Sequence, residues 1–315
     1  MKLGFLYAGQ GSQHPGMGAD LYERFPEFRT VYDSAQVGFD LKETSFTDIE
    51  NKLNLTRYTQ PCMVAFAAGL TAVLNSHGIT PAVAAGLSLG EYSALYAAGV
   101  FDAKTAVELV AFRGRAMEQA ADGVESSMVA ALGMEREILQ HCCDQARDAG
   151  IVVIANYNCP GQLVLGGEKA AVNKAVAIAK SQGGKRFLPL KVSGPFHTPL
   201  MAPAAAALER HFADIAFQSP AIPVIFNCLG DLNTENIPIP ELLVRQVQSS
   251  VFMEDSLRKM AELGVDAIVE IGPGKALSGF ARKTIPHIPV MAVETAADVE
   301  TLTEWLSELE KENHP

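Results

Sequence analysis

The chain has 315 residues, of which 48% are hydrophobic and 19% charged. A folded chain of this composition buries most of its surface, which excludes an intrinsically disordered protein, and its length favours about two domains of roughly 150 residues or one large domain with an insertion. The net charge of −11 and the lack of a Lys/Arg block argue against a protein that binds nucleic acid.

The cysteines and the apolar stretches indicate the cellular setting. Five cysteines, an odd number without Cys-x-x-Cys or Cys/His spacing, predict neither structural disulfides nor a metal site. The N-terminal apolar run is too short for a signal peptide. The uncharged stretch between Arg57 and Glu91 is interrupted at 75–78 and at Pro81, so it is too short to cross a membrane. These features together predict a cytoplasmic protein.

Short apolar strands alternate with helices in the first part of the chain. Pro61 is typical of a first helical turn, Gly78 of a helix end and Asp102 of an N-cap. The predicted elements are strands at 3–8 and 81–87 and helices that begin at Thr59-Gln60-Pro61, at 89 and at 103, ending near 78, 98 and 121. This alternation predicts an α/β fold with a parallel sheet.

A different pattern begins near Gly123. The predicted elements there are strands at 127–132, 151–158, 162–166 and 186–192 and helices at 135–149 and 168–181. The order β-α-β-β-α-β is that of a ferredoxin-like domain. We therefore predict an inserted domain at 124–192, within a larger domain formed by 1–123 and 193–315. The alternation then resumes up to a strand at 265–271, and an acidic helix with Trp305 closes the chain.

Residues 86–90, Gly-Leu-Ser-Leu-Gly, match the pattern G-x-S-x-G. The pattern lies on a sharp turn between a predicted strand and a predicted helix, where the glycines permit a tight backbone around Ser88. The helix that begins at Leu89 presents unpaired backbone N–H groups to an oxyanion. Ser88 is thus a candidate nucleophile. The alternative is a glycine-rich turn with an incidental serine.

A nucleophilic serine needs a base, and His197 is the best placed of the seven histidines. It follows a Ser-Gly-Pro-Phe turn at the end of the predicted insert and precedes a Pro/Ala-rich helix. It therefore lies where the chain returns to the larger domain. The alternative is a loop histidine that caps the next helix.

Arg113 lies on an apolar helix face. Its neighbours three, four and seven positions away are all apolar, whereas Arg115 has charged and polar neighbours and is expected in solvent. A buried guanidinium needs an anionic partner. A carboxylate of the substrate matches its planar fork, and an internal acid, Glu91 or Glu270, is the alternative. Residues 272–275, Gly-Pro-Gly-Lys, fail the spacing of a phosphate-binding loop and predict a tight turn.

Seven motifs together resemble the malonyl-CoA:acyl carrier protein transacylases. They are Gly9-Gln10-Gly11-Ser12-Gln13, Thr59-Gln60-Pro61, the segment 86–94, Arg113-Gly114, Asn156-Tyr157-Asn158-x-Pro160-Gly161-Gln162, Phe196-His197 and Glu270-x-Gly272-Pro273-Gly274-Lys275. The likeness extends from residue 3 to about residue 295. It implies an α/β-hydrolase-like large domain with an inserted ferredoxin-like domain, and malonyl transfer from CoA to the phosphopantetheine thiol of an acyl carrier protein in fatty-acid or polyketide biosynthesis.

The resemblance also implies a role for individual residues. Ser88 would be the nucleophile, His197 the base and Arg113 the group that binds the malonyl carboxylate. The remaining implied site residues are Gln10 and Leu89, whose N–H groups form an oxyanion hole, Gln246, whose carbonyl orients His197, and Asn158, a substrate-binding residue. No metal or cofactor is implied, because malonyl-CoA is a substrate.

The chain departs from the family pattern at four positions. Leu87 stands where the family usually has His, and Ala8 where it usually has Pro. Ser250 and Met253 stand where a Pro and a Trp are common. The Leu87 departure removes a polar group beside the nucleophile but leaves the base and the oxyanion donors. Phe196 resembles the malonyl-selective pattern.

Two other functions compete with acyl transfer. A serine hydrolase shares the turn at Ser88, but the order Ser…Asp/Glu…His is missing. A non-catalytic carrier-binding module is suggested by Leu87 and opposed by the intact Ser88, His197 and Arg113. The acceptor carrier can belong to fatty-acid, polyketide or malonate-decarboxylase metabolism.

The inserted segment carries a candidate docking surface for the carrier. Residues 169–191 contain six Lys or Arg and no acidic residue. Because such carriers are acidic, we expect Lys180, Lys185 and Arg186 to bind them. The alternative is an ordinary solvated helix face.

Overall fold

The computed structural model describes residues 1–313 and contains two compact units. The first unit consists of Met1–Ala111, Gln218–Val224 and the residues from Met260 onward, and the second of Phe112–Phe217 and Ile225–Lys259. The predicted insert, 124–192, lies within the second unit but covers only part of it. One reason is that a strand near residue 251 pairs with a strand of the predicted insert. Insertion of 124–192 between 1–123 and 193–315 as a separate domain stays a prediction.

The elements of the described residues alternate along the chain in the order expected for a mixed α/β protein. The strands are β1 (Leu3–Tyr7), β2 (Val83–Gly86), β3 (Ser126–Leu132), β4 (Val152–Cys159), β5 (Gln162–Glu168), β6 (Arg186–Pro189), β7 (Ile225–Phe226), β8 (Asp231–Leu232), β9 (Val251–Phe252), β10 (Ala267–Ile271) and β11 (Val290–Val293). The helices are α1 (Ala19–Arg24), α2 (Pro26–Ser34), α3 (Leu41–Phe46), α4 (Thr56–Ser76), α5 (Gly90–Ala97), α6 (Ala103–Ala121), α7 (Arg136–Ala146), α8 (Lys169–Ser181), α9 (Ala202–Phe212), α10 (Ile239–Val247), α11 (Met253–Glu262), α12 (Ala276–Thr284) and α13 (Ala296–Asn313).

The first unit contains a parallel sheet, as the sequence predicts. Its strand order is β11-β10-β1-β2, and every residue of β1, β2 and β10 is buried, which is typical of a parallel sheet covered on both faces. Tyr7 pairs with Gly86 on one side and with Ile271 on the other. The loops that follow these three strands therefore leave the sheet at the same edge, the one formed by the carboxyl ends of the strands, where α/β proteins bind ligands.

The sequence prediction is wrong about the start of α4. The helix begins at Thr56 rather than at Thr59, because the Leu55 carbonyl already accepts the Thr59 N–H at 2.9 Å. Pro61 therefore lies inside the helix, where its missing N–H leaves out one intrahelical hydrogen bond. The predicted end is confirmed, because α4 stops at Ser76 and Gly78 adopts a left-handed φ of 76°.

The second unit contains a five-stranded sheet with the order β6-β3-β5-β4-β9. Its pairs are antiparallel except for β4 with β9. The strands and helices β3-α7-β4-β5-α8-β6 confirm the six predicted elements in their predicted order. Helices α7 and α8 contribute Leu139, Cys142 and Val172 to an apolar core with one face of the sheet.

All five cysteines are buried and free. Within residues 1–313, none of the helices combines the length and the apolar character that crossing a bilayer requires.

Candidate active site

The backbone at Ser88 is strained. Ser88 lies between β2 and α5 with a φ of 53°, in the left-handed region. Among the described non-glycine residues that share such a φ, four are Asp, Asn or His, the types enriched there, and the fifth is Ser88. Each such residue costs of order 1–3 kcal/mol and persists where the surrounding structure enforces it. Such strain is concentrated at functional sites.

Two glycines allow the turn at Ser88 to form. A Cβ at Gly86 would lie 2.1 Å from the carbonyl carbon of Gly90, and a Cβ at Gly90 would lie 2.2 Å from the Tyr7 carbonyl oxygen. Neither contact is sterically possible. The turn is closed by the Glu91 N–H, which donates to the Ser88 carbonyl at 3.1 Å. The side chain of Ser88 is held at a partly exposed position.

The segment that contains Gln10 lies beside the Ser88 turn. A Cβ at Gly9 would lie 2.6 Å from the Leu87 carbonyl oxygen, so the two backbones are in close contact. The Gln10 side chain is fixed by its amide group, which donates to Thr56 Oγ1 at 3.0 Å. Leu89 immediately precedes α5, and the N–H group after it, that of Gly90, donates to the Leu87 carbonyl at 2.9 Å. The structure thus brings Gln10, Ser88 and Leu89 together at one edge of the parallel sheet.

Glu294, which the sequence analysis did not single out, connects three loops at this edge. Its carboxylate accepts the Gly274 N–H at 2.9 Å and also contacts the His14 ring. His14 follows the Gln10 segment, Gly274 follows β10, and Glu294 itself follows β11. A Cβ at Gly272 would lie 2.4 Å from that of Ala8, and both Gly272 and Gly274 have left-handed φ values. Residues 272–275 therefore form the predicted tight turn, and the turn supports the Gln10 segment.

His197 belongs to the second unit and is held in one orientation. It is 4% exposed, and its Nδ1–H donates to the Gln246 carbonyl at 3.0 Å. Because a carbonyl can only accept, the proton lies on Nδ1 and the lone pair on Nε2. Burial and the positive charge of Arg113 lower the pKa of His197 from 6.5 to about 4. The imidazole is therefore neutral at pH 7 and able to accept a proton.

Arg113 is wholly buried, as the apolar face of α6 predicts, and Arg115 is exposed. The Arg113 guanidinium donates from Nη2 to the side-chain oxygen of Gln246 at 3.0 Å. Of the two internal acids considered as partners, Glu270 caps α12 by accepting the backbone N–H groups of Leu277 and Ser278 at 2.9 and 2.6 Å. Its burial raises its pKa, which these hydrogen bonds oppose.

Gln246 connects the base and the cation. Its backbone carbonyl binds His197, and its side-chain oxygen binds Arg113. The second of these contacts was not anticipated from the sequence. A signal was available, because Gln246 is a polar residue on a face of α10 whose other members, Leu242, Leu243 and Val247, are buried and apolar.

Asn158 occupies an irregularity in β4. The pairing passes from Tyr157 with Leu163 to Cys159 with Gln162 and leaves Asn158 outside the ladder. The residue is 7% exposed, and its side-chain oxygen finds no hydrogen-bond partner within the described residues. A buried acceptor without a donor is costly, which makes Asn158 a candidate for binding a ligand.

The candidate residues are divided between the two units. Those of the first unit are Gln10, Ser88 and Leu89, and those of the second are Arg113, Asn158, His197 and Gln246. Among residues 1–313, no group of three His, Cys, Asp or Glu side chains is arranged to hold a metal ion. Among the histidines of the sequence, His314 lies outside the described residues.

The comparisons with known proteins point to a single class. A family model described as an acyl transferase domain matches residues 4–308. The malonyl CoA-acyl carrier protein transacylase of Bacillus subtilis (strain 168) is 40% identical over 315 residues, which cover 99% of this chain and 98% of the relative. The chain therefore belongs to the class of acyl transferases.

Solved structures agree in fold over nearly the whole chain. The crystal structure of the malonyl CoA-acyl carrier protein transacylase of Clostridium perfringens superimposes with a TM-score of 0.96, 39% identity and full coverage of both chains. A malonyl-transacylase solved in complex with its type II PKS acyl-carrier protein gives a TM-score of 0.91 at 36% identity, with 96% of this chain and 98% of that chain covered. This chain belongs to the malonyl CoA-acyl carrier protein transacylase family.

Proposed function

We propose that this protein transfers a malonyl group from CoA to the phosphopantetheine thiol of an acyl carrier protein, through an ester on Ser88. The observation that supports this most strongly is the double role of Gln246, which binds a neutral imidazole with its carbonyl and a guanidinium with its side chain. In malonyl-CoA the free carboxylate and the thioester carbonyl are separated by one methylene. A cation that holds the carboxylate therefore has to lie close to the base.

Acylation begins with attack by Ser88 Oγ on the thioester carbonyl. His197 Nε2 accepts the serine proton: the lowered pKa keeps the imidazole neutral at pH 7, and the Nδ1–H bond to Gln246 leaves the lone pair on Nε2. The N–H groups of Gln10 and Leu89 donate to the oxyanion of the tetrahedral intermediate. When the intermediate collapses, the C–S bond breaks, and the His197 imidazolium returns its proton to the departing CoA thiolate. The product is malonyl-Ser88.

Transfer to the carrier reverses these steps. His197 accepts the proton of the phosphopantetheine thiol, and the sulfur attacks the ester carbonyl. The C–O bond to Ser88 then breaks, and the imidazolium protonates the serine oxygen. Serine, imidazole and backbone amides supply every step, so the proposal requires no metal and no cofactor.

Arg113 selects the acyl group. Its guanidinium, wholly buried and held by Gln246, would bind the malonyl carboxylate through two parallel hydrogen bonds. An acetyl group offers no carboxylate and leaves the cation without that partner. Asn158, with its buried side-chain oxygen, is proposed as a further contact to the substrate.

In fold terms, we propose an α/β-hydrolase-like unit with a ferredoxin-like insert. The strand, the tight turn at Ser88 and the following helix α5 support the first assignment. The antiparallel order β6-β3-β5-β4 with α7 and α8 on one face supports the second. The five free cysteines are consistent with the proposed cytoplasmic location.

The proposed partner is an acyl carrier protein, docked by Lys180, Lys185 and Arg186. All three side chains are exposed, and within residues 1–313 none of them forms an ion pair. Reversing the three charges together should raise the KM for the carrier and leave acylation by malonyl-CoA unchanged. The wild-type KM for the carrier should also rise with salt, because exposed charges are screened within about 8–10 Å.

Two substitutions test the chemistry. Ser88→Ala should abolish both the acyl-enzyme and transfer. His197→Ala should slow acylation by about 10²–10⁴-fold, the range for loss of a general base. An acylation rate in His197→Ala equal to that of the wild type would refute the assignment of the base, and a steady release of free malonate in place of transfer would indicate a hydrolase.

A further inference from the structure

The edge of the second sheet carries an unusual exposed apolar strip. Strand β6 pairs with β3 on one side only, and the chain stays attached beyond the strand because Leu190 N–H donates to the Met128 carbonyl at 2.9 Å. Leu188, Leu190 and Val192 are 48%, 38% and 40% exposed. Eight large hydrophobic side chains are exposed in the described residues, and three of them lie in this stretch of five.

The strip lies on the side of the strand that does not face the core of helices α7 and α8. Leu188 lies in β6, and Leu190 and Val192 follow at alternate positions, which in an extended chain place side chains on one face. Phe187, on the opposite face, packs against the apolar core formed with α7 and α8. Burial in the unit's own core therefore does not explain Leu188, Leu190 and Val192.

Positive charge surrounds the strip. Lys185, Arg186 and Lys191 are exposed, and within the part of the chain that the structure describes they form no ion pair. The cations at the start of α8 differ, since Lys169 pairs with Glu125 at 3.4 Å and Lys174 with Asp148 at 2.6 Å. Within residues 169–191, the cations beside the apolar strip thus differ from those at the start of α8 in having no acidic partner, on a chain whose net charge is −11.

Charge decides which kind of partner fits this surface. Single exposed hydrophobic residues are ordinary, but a contiguous apolar strip on an unpaired strand edge is typical of an interaction site. A second copy of the chain that paired through the same strip would bring the cations of both copies together. An acidic protein surface with apolar side chains would instead meet opposite charge around an apolar centre.

We propose that Leu188, Leu190 and Val192 form the apolar centre of the surface on which the acidic acyl carrier protein docks, with Lys185, Arg186 and Lys191 as its charged rim. This inference rests on the proposed function and adds an apolar component to the electrostatic docking already described. The chain reaches His197 five residues after Val192, a span of at most about 18 Å. A flexible phosphopantetheine arm can cross that span from a carrier bound at the strip.

The test separates docking from chemistry. Leu188→Gln with Leu190→Gln removes most of the strip, and Ile138→Gln, at a 41% exposed position on α7 of the same unit, is the matched control. Three quantities are measured for the full-length chain: the acylation rate with malonyl-CoA, malonyl transfer to the carrier over a range of carrier concentrations, and transfer to free pantetheine. Oligomeric state is measured by sedimentation.

The double variant should raise the KM for the carrier by about tenfold or more, because two leucines lose their apolar contacts. Its acylation rate and its transfer to pantetheine should match those of the wild type, and Ile138→Gln should change none of the three quantities. An unchanged KM for the carrier would overturn the proposal, as would an equal rise in Ile138→Gln. A wild-type dimer that the double variant disrupts would assign the strip to self-association instead.

Failure of the proposed function would look different. In that case the wild type itself would form no acyl-enzyme and pass nothing to pantetheine, and the docking proposal would fail with it. A wild type that acylates and transfers to pantetheine, with variants that leave the carrier KM unaltered, would overturn the docking surface alone.

Discussion

Replacing Gln246 by Leu should separate the two functions of this residue. The side chain is wholly buried, and its oxygen accepts from Arg113 Nη2 at 3.0 Å, so the substitution removes a buried hydrogen bond to a charged group. A hydrogen bond to a charged group contributes about 1.5–3 kcal/mol, which corresponds to a factor of about 10–150. The backbone carbonyl that binds His197 is retained in the variant. We therefore expect kcat/KM for malonyl-CoA to fall by about tenfold or more, and acylation by acetyl-CoA to change little.

The assay is rapid-quench acylation followed by mass spectrometry, with each acyl-CoA in turn. Gln248→Leu, which removes a partly exposed amide just after the same helix, is the control and should alter neither rate. A thermal melt establishes that Gln246→Leu is folded at the assay temperature. Equal losses with malonyl-CoA and acetyl-CoA would refute the reasoning, because they would place the side chain in support of the base rather than of Arg113.

Three other predictions follow from the same geometry. Arg113→Ala should reverse the preference from malonyl-CoA toward acetyl-CoA in competition, because the chemistry does not need the guanidinium; an unchanged preference would make Arg113 a structural residue. The acylation rate of the wild type should fall as the pH falls through about 4, where His197 becomes protonated, and a rate already halved near pH 6.5 would contradict the buried, neutral imidazole. The same group should make the folded state less stable as the pH falls from 6.5 toward 4, because the unfolded chain binds that proton first. Gly86→Ala should lower the free energy of unfolding, measured in urea, by at least about 3 kcal/mol, because its Cβ would lie 2.1 Å from the backbone of Gly90. The control Gly279→Ala, in α12 with open space around it, should leave the free energy of unfolding unchanged or raise it by up to about 1 kcal/mol.

Local patterns in the sequence predicted much of the fold. The alternation of apolar runs and turn residues predicted the parallel sheet, and the six elements from β3 to β6 were predicted in order. The start of α4 was missed because Pro61 is usually found in a first helical turn, whereas here the hydrogen bond from Thr59 to Leu55 begins the helix earlier. Boundaries depend on single hydrogen bonds that no local pattern encodes.

For the candidate site, the sequence predicted the local features but not the contacts between distant residues. The turn at Ser88 and the burial of Arg113 follow from spacing along one element, which sequence reasoning can reach. The contact between Arg113 and Gln246 joins residues 133 positions apart, and the contact between His14 and Glu294 joins residues 280 apart. Such contacts depend on tertiary packing, so the linking role of Gln246 and the loop contacts of Glu294 became visible only in the structure.

The measurement that tests the central claim most directly is a malonyl chase followed by intact-mass and peptide analysis. The enzyme is incubated with malonyl-CoA, freed of CoA, and mixed with carrier protein that bears phosphopantetheine. We predict a mass gain of one malonyl group on the peptide that contains Ser88, and its disappearance from the enzyme as the carrier gains the same mass. A malonyl-carrier product without any acyl-enzyme, or an adduct on a residue other than Ser88 that passes to the carrier, would contradict the account.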